Sequence, residues 1–458
     1  MSVAGFALRY RTIVVTAVAV LMLWGLFSYN NMPRREDPEY TVRTCQVLTN
    51  WPGTPTEKVE ELVTAPLEEE INSLDGIRWV RSETTVGRSA IYVELDRPTP
   101  GNKVEQMWDK VRSRVDRVPM PDPSLEPVVI DDFGDTNILV FALYQTPLPG
   151  DDAIRPENRY SPRDLEIFAD RLKNDLKLLP GVAKVDIAGI QREAIYLETD
   201  LGRWTYLSLT TSELTKLISE RNVIETGGSI DVDVGHVTVK PSGDIDAVDQ
   251  LSSIVVGGSD SMRAPVYLRD LGIDVVRSYE DPPSVITRYG DAGGTYPCLL
   301  VAFTMKKGAN IVDVCADALA LAGHLQKELK VFPPDLGLGI ISDQSENVTR
   351  KINDFVANVV GAIVIVIAVV FLMVGLRSSI VMAANIPIVI IGSLAIVTLF
   401  GVQLEQISLA AMIIALGMLV DNAVQIADQT RSLLSEGKTR FEAALQGANR
   451  LSFPMLIA

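Results

Sequence analysis

The chain reads as a helical membrane bundle joined to a large exported α+β region. Three observations predict this. An uncharged apolar run lies near the N-terminus, three more crowd the C-terminal end, and the long polar stretch between them repeats a strand–helix–strand–strand–helix pattern. The 458 residues carry 47% hydrophobic side chains and a formal charge of −16. Their mean hydropathy is +0.19, so an acidic chain must concentrate its apolar residues somewhere. That composition excludes disorder, and the acidic balance argues against a nucleic-acid partner, whose footprint is basic.

The first apolar run, Thr12–Met32, holds no charge and is long enough to cross about 30 Å of hydrocarbon. Arg9 and Arg11 precede it, which places Met1 in the cytoplasm and residue 34 onward outside. A cleavable signal peptide would need a shorter apolar core and an A-x-A exit, and this run has neither. At the other end Phe355–Leu376 and Ser378–Val402 are read as two spans, with Arg377 between them. Gln406–Val420, leading into Asp421, is read as a fourth. Counting inward, Arg377, Arg431, Lys438 and Arg440 fall on the cytoplasmic side, and the Glu405 link falls outside.

Residues 1–33 carry only Arg9 and Arg11, and residues 351–458 balance six bases against six acids, so residues 34–350 hold −18. Two stretches of this region resemble each other, Leu74–Asp96 and Leu179–Asp200. Each runs Leu-x-Gly-(Ile/Val), a short strand, a turn at Gly87 or Gly189, and a second strand, Ala90–Asp96 or Ala194–Asp200. Helical periodicity precedes each, over Thr56–Ser73 and Ser161–Leu179, and extended stretches precede those, Thr41–Trp51 and Asn137–Gln145. A further helix is read at Lys103–Val118. The pattern is a duplicated split βαβ, ferredoxin-like layer, and Ala90–Asp96 and Ala194–Asp200 are expected on equivalent strands. Between Val223 and Thr295, Gly227-Gly228, Gly257-Gly258 and Gly293-Gly294 punctuate short β-rich runs, as in an inserted small domain. Cys298–Met305, Asn310–Leu329 and Leu336–Ser342 then resume strand, helix and strand.

Two histidines, His236 and His324, and the lack of any phosphate loop or nucleophile–base set leave no enzyme signature; no cofactor is expected. Cys45, Cys298 and Cys315 sit in apolar patterns and read as core cysteines rather than soft-metal ligands. The chemistry lies in the fourth span. Asp421, Gln425 and Asp428 are spaced i, i+4, i+7 and share one helical face. A carboxylate inside a span costs about 2.5 kcal/mol or more and normally serves a function, and desolvation raises its pKa toward neutral pH. A structural carboxylate is the alternative for Asp421. A solvated interfacial acid is the alternative for Asp428. Asn422 cannot titrate.

These residues resemble the resistance-nodulation-division (RND) efflux permeases. Pro52-Gly53 followed by Val59-Glu60 is similar to that family's Pro-Gly-x-x-x-x-x-Val-Glu segment, and Gly417–Asp428 is similar to its fourth-span motif. The resemblance implies a porter subdomain at 34–136 and a second at 137–222 continued at 296–350. It also implies a docking domain at 223–295, spans at 1–33 and 351–430, and a cytoplasmic segment entering a fifth span at 431–458. It implies a proton relay at Asp421, with Asn422 where many members have a second aspartate and Asp428 where a Glu is usual. Asp421 is expected to face the bundle interior without a basic partner from Arg377 or Arg431. It further implies proton-driven export of hydrophobic or amphiphilic small molecules from a bacterial inner membrane, a homotrimer, a periplasmic adaptor and an outer-membrane channel. The chain is expected to be the N-terminal portion of a longer permease. The heavy-metal branch, which favours Asp-Gly-Ala in this span, and a non-transporting sensor with a porter-like ectodomain are the competing readings.

Overall fold

The structure, a computed structural model, describes residues 3–38, 40–134, 136–148, 154–200, 210–221, 229–232, 235–238, 248–257, 266–327, 331–374 and 376–457. Gly227, Gly228 and Gly258 lie outside them, as does the side chain of His236. A short helix, Val3–Arg9, leads into the first long apolar helix, Arg11–Asn31. The first α+β unit follows, with strands β1 (Thr44–Asn50), β2 (Ile77–Thr85), β3 (Arg88–Leu95) and β4 (Val128–Ile130). They form one sheet in the order β2-β3-β1-β4, antiparallel at every pairing.

Two helical stretches cover one face of that sheet. Gly101–Val115 buries Val104, Trp108, Val111 and Val115 at helical spacing, against Cys45, Val47, Ile91 and Val93 of the strands. The other runs from Thr56 to Asn72 with a wide π turn over Glu60–Thr64. Pro66 lies two residues past it; it has no N–H for the preceding turn and its ring crowds the carbonyl there. Thr64, fully buried by the wide turn, shares its hydroxyl with Ser89 at 2.8 Å and Thr84 at 2.9 Å, so its own polar group is satisfied.

The second unit places β5 (Leu139–Gln145) and β6 (Val182–Ala188) around the helix Pro162–Leu176. Ser161 and Asp164 close a reciprocal capping box on that helix. Next come β7 (Glu193–Glu198), β8 (Ser229–Val232), β9 (Gly235–Thr238), β10 (Val255–Gly257), β11 (Val266–Tyr267) and β12 (Asp274–Tyr279). β13 (Arg288–Asp291), β14 (Gly294–Met305), the helix Ile311–Lys327 and β15 (Leu336–Asp343) complete the unit. β14 lies between β6 and β5, and β15 pairs with the other edge of β5, all antiparallel.

One expectation is corrected here. Ala194–Asp200 is not the counterpart of Ala90–Asp96. β7 leaves the main sheet and, among the described residues, pairs only with β12 in a two-stranded ribbon. The strand that pairs with β5 and β6, as β3 pairs with β1 and β2, is β14. The reason is burial. β7 has no fully buried position, whereas β14 seats Leu299, Val301 and Phe303 in the core. The two Ala-Ile-Tyr stretches share only an alternating pattern, which any half-exposed strand can carry. The chain leaves and returns at one point: Gly189 has φ +90°, and a Cβ there would lie 2.0 Å from the Thr287 hydroxyl. Glu280 N–H donates to the Arg192 carbonyl beside it.

The core under the second sheet continues into the apolar helices. Leu139, Phe303, Leu172 and Leu325 share one buried cluster with Val348, Ile352, Ile386 and Leu394. Three helices are long and apolar enough to cross a membrane among the described residues, within Arg11–Asn31, Gln344–Val369 and Ser379–Thr398. The fourth expected span is the helix Gln406–Ser435, whose apolar portion among the described residues is Gln406–Ala415. A last helix, Arg440–Ile457, packs beside it.

Candidate functional site

The fourth long helix starts where the chain stops following a strand-like path. Leu404 bridges in parallel to Arg34, just beyond the first apolar helix. Leu404 N–H donates to Pro33, Arg35 N–H to Leu404 and Gln406 N–H to Glu36, at 3.0, 3.0 and 3.2 Å. The Ser408 hydroxyl accepts the Glu405 N–H at 2.9 Å, satisfying one of the free donors at the helix start. Lys351, on the second long helix, donates to the Gln406 side chain at 2.5 Å. Ile311 N–H, at the head of the second unit's covering helix, donates to the Arg34 carbonyl at 3.0 Å. One short segment therefore fastens the first helix, the head of the fourth and the second α+β unit together.

Burial at this tie moves two titrations. The Glu405 carboxyl is pushed above its ordinary value by desolvation, with Asp37 reinforcing the shift and Arg35 opposing it. Desolvation lowers the Arg35 guanidinium, with Glu405 acting the other way.

Asp421 lies in this helix fifteen residues beyond Gln406, about 22 Å along its axis. Its side chain lies outside the described residues, as does that of Arg377. Asn422 is half-buried, and Gln425 and Asp428 are exposed in this chain. The helix brings Asp421 and Asp428 onto one face roughly 10 Å apart, and sets Arg431 about 15 Å from Asp421. The helix packs against the second and third long helices and the final helix. Gly447 of the final helix approaches Thr430 so closely that a Cβ would lie 2.9 Å from the hydroxyl. Sequence reasoning found the acids but missed the tie. Pro33-Arg34-Arg35-Glu36-Asp37 reads only as cancelling charges, and no local pattern says that it pairs with residues 370 positions away.

A family model for the AcrB/AcrD/AcrF family matches residues 3–458. The chain belongs to that family, the RND permeases, and is a membrane transport protein rather than an enzyme. Permeases of this family are inner-membrane transporters that form oligomers and generally work with adaptor and outer-membrane channel proteins.

Proposed function

We propose that the chain forms part of a proton-motive-force-driven exporter of hydrophobic and amphiphilic compounds, with Asp421 as its proton-carrying group. The observation that carries this reading is an acid well inside a long helix of a family transporter, on a helix whose head is bonded to the exported region. Protonation of Asp421 removes a charge from an apolar setting, and the tie at Leu404 gives any resulting helix shift a hydrogen-bonded route, through Arg34, into the second unit. Asp428 sits about two turns further toward the cytoplasm on the same face, as a relay to that side. Asn422 carries no proton; its amide can only hydrogen-bond.

The two α+β units are ferredoxin-like porter subdomains, at 34–136 and at 137–222 with 296–350. The insertion at 223–295 is the docking domain, and the β7/β12 ribbon serves as its stalk. Export requires passage to the outside, so the porter region lies in the periplasm, in a homotrimer joined to an adaptor and an outer-membrane channel. Asn422, rather than the glycine of the metal-exporting branch, favours the amphiphile branch.

The test is dye accumulation in cells whose only efflux permease is the full-length protein. Asp421→Asn abolishes export while expression and membrane insertion stay intact. Undiminished efflux by that variant leaves Asp421 structural and removes the relay.

A further inference from the structure

The end of the first apolar helix and one end of the second α+β unit meet at a single level. Ile311 N–H, at the head of the covering helix, donates to the carbonyl of Arg34, just past the helix end at Asn31. β14 ends close by at Met305. The helix Pro162–Leu176 ends there too, because Lys306 N–H donates to the Gly181 carbonyl at 2.7 Å. Two loops, 177–181 and 306–310, therefore form a corner of the second unit beside the spans. That corner is continuous with them, since Met305 and Ile311 share a buried cluster with Met32 and Leu404.

The corner carries an exposed leucine among lysines. Leu178 is 81% exposed, and among the described residues only Leu372 at 83% and Phe400 at 80% match it. Those two lie within the apolar stretches Phe355–Leu376 and Ser378–Val402, whose surroundings are lipid. A single exposed leucine is ordinary on a water-facing surface; its setting sets this one apart. Lys177 is its neighbour, and Lys306 and Lys307 stand in the adjoining loop, all three exposed. Asp175, two residues before Lys177, is held by Arg171 at 2.9 Å. On the next strand Lys184 is taken by Asp132 at 2.9 Å and Asp186 at 3.2 Å. Among the described residues no carboxylate holds the three corner lysines in that way. They stand out against a region, residues 34–350, whose net charge is −18.

We infer that this corner rests on the bilayer surface, with Leu178 in the interfacial layer and Lys177, Lys306 and Lys307 against the phosphates of anionic phospholipids. Lysine stems lie along apolar surface while their ammonium groups reach the headgroups. One apolar side chain with several bases is the chemistry of an interfacial anchor. The acidic remainder of the region is repelled by an anionic surface, so the corner fixes which end of the second unit touches lipid. Docking of this kind needs no proton gradient and no transported compound.

The experiment uses the full-length permease in nanodiscs, with a fluorescent thiol label on Leu178→Cys in a background without other reactive cysteines. Cys45, Cys298 and Cys315 are buried and stay in place. Val86→Cys is the reference; Val86 is 71% exposed at the β2–β3 turn, the end of the first unit away from the start of β1. Phosphatidylglycerol with a nitroxide high on its acyl chain quenches the label at 178 and leaves the label at 86 unquenched. The same nitroxide on phosphatidylcholine, at equal mole fraction, quenches position 178 about half as much, because it lacks the net negative charge. Lys177→Gln, Lys306→Gln and Lys307→Gln together make the two lipids equal; all three positions are exposed, so the fold tolerates the changes. Quenching at 178 no greater than at 86 places the corner in water and overturns the docking. Equal quenching by the two lipids in the parent, or a preference that survives the triple variant, overturns the role of the lysines.

Discussion

Gly25 shows how tightly single positions are specified. A Cβ on it would lie 1.9 Å from the carbonyl oxygen of Ile391, so the first and third long helices meet backbone to backbone there. Gly25→Val must push the helices apart, at a cost of about 1–3 kcal/mol. The expected outcome is a melting temperature several degrees lower for the detergent-solubilised protein; an unchanged melting curve would mean that the helices do not cross at this point. Cys45 makes the opposite case, a reactive residue type made inert. Desolvation in the first unit's core pushes its thiol up to about 12, with Asp131 adding to the shift and Arg112 opposing it, so thiolate is scarce at neutral pH. Maleimide should leave Cys45 unlabelled in the native protein and modify it after denaturation. Rapid native labelling, located by peptide mapping, would place Cys45 outside the core.

At the scale of elements, the tie between residues 33–36 and 404–406 carries a pH signature. Burial raises the Glu405 carboxyl, so the folded state holds its proton where the unfolded chain has released it. Stability therefore falls as pH rises from the ordinary carboxylate range through the raised value, and is recovered below it. Glu405→Gln should flatten that part of the melting-temperature profile; a profile identical to wild type would show that Glu405 titrates normally. The tie is also where the sequence was least legible. Helices announced themselves through spacing, as in Val104, Trp108, Val111 and Val115, because one buried face imposes a period that a window of residues reveals. Long-range pairing has no such period. The likeness of Ala90–Asp96 to Ala194–Asp200 suggested equivalent strands, and burial decided otherwise, giving the place in the sheet to β14. The acids of the fourth span were visible because charge inside an apolar run is rare. The basic corner around Leu178 was not visible, since its lysines come from two loops far apart in sequence.

For the whole molecule, the buried cluster that runs from Leu139 and Phe303 to Ile386 and Leu394 makes the second unit and the apolar helices one packed body. The first unit keeps a separate core around Val47, Ile91 and Trp108. A displacement of the fourth helix therefore acts directly on the second unit and reaches the first through the connections between the units. That arrangement suits the proposed reading, in which a protonation change in the bilayer alters the exported region. The most direct measurement is proton flux in proteoliposomes holding the full-length permease, with an internal pH dye and an imposed pH gradient. Adding a transported amphiphile should accelerate gradient collapse in the wild type and have no effect with Asp421→Asn. Substrate-stimulated proton flux that survives in Asp421→Asn would contradict the account.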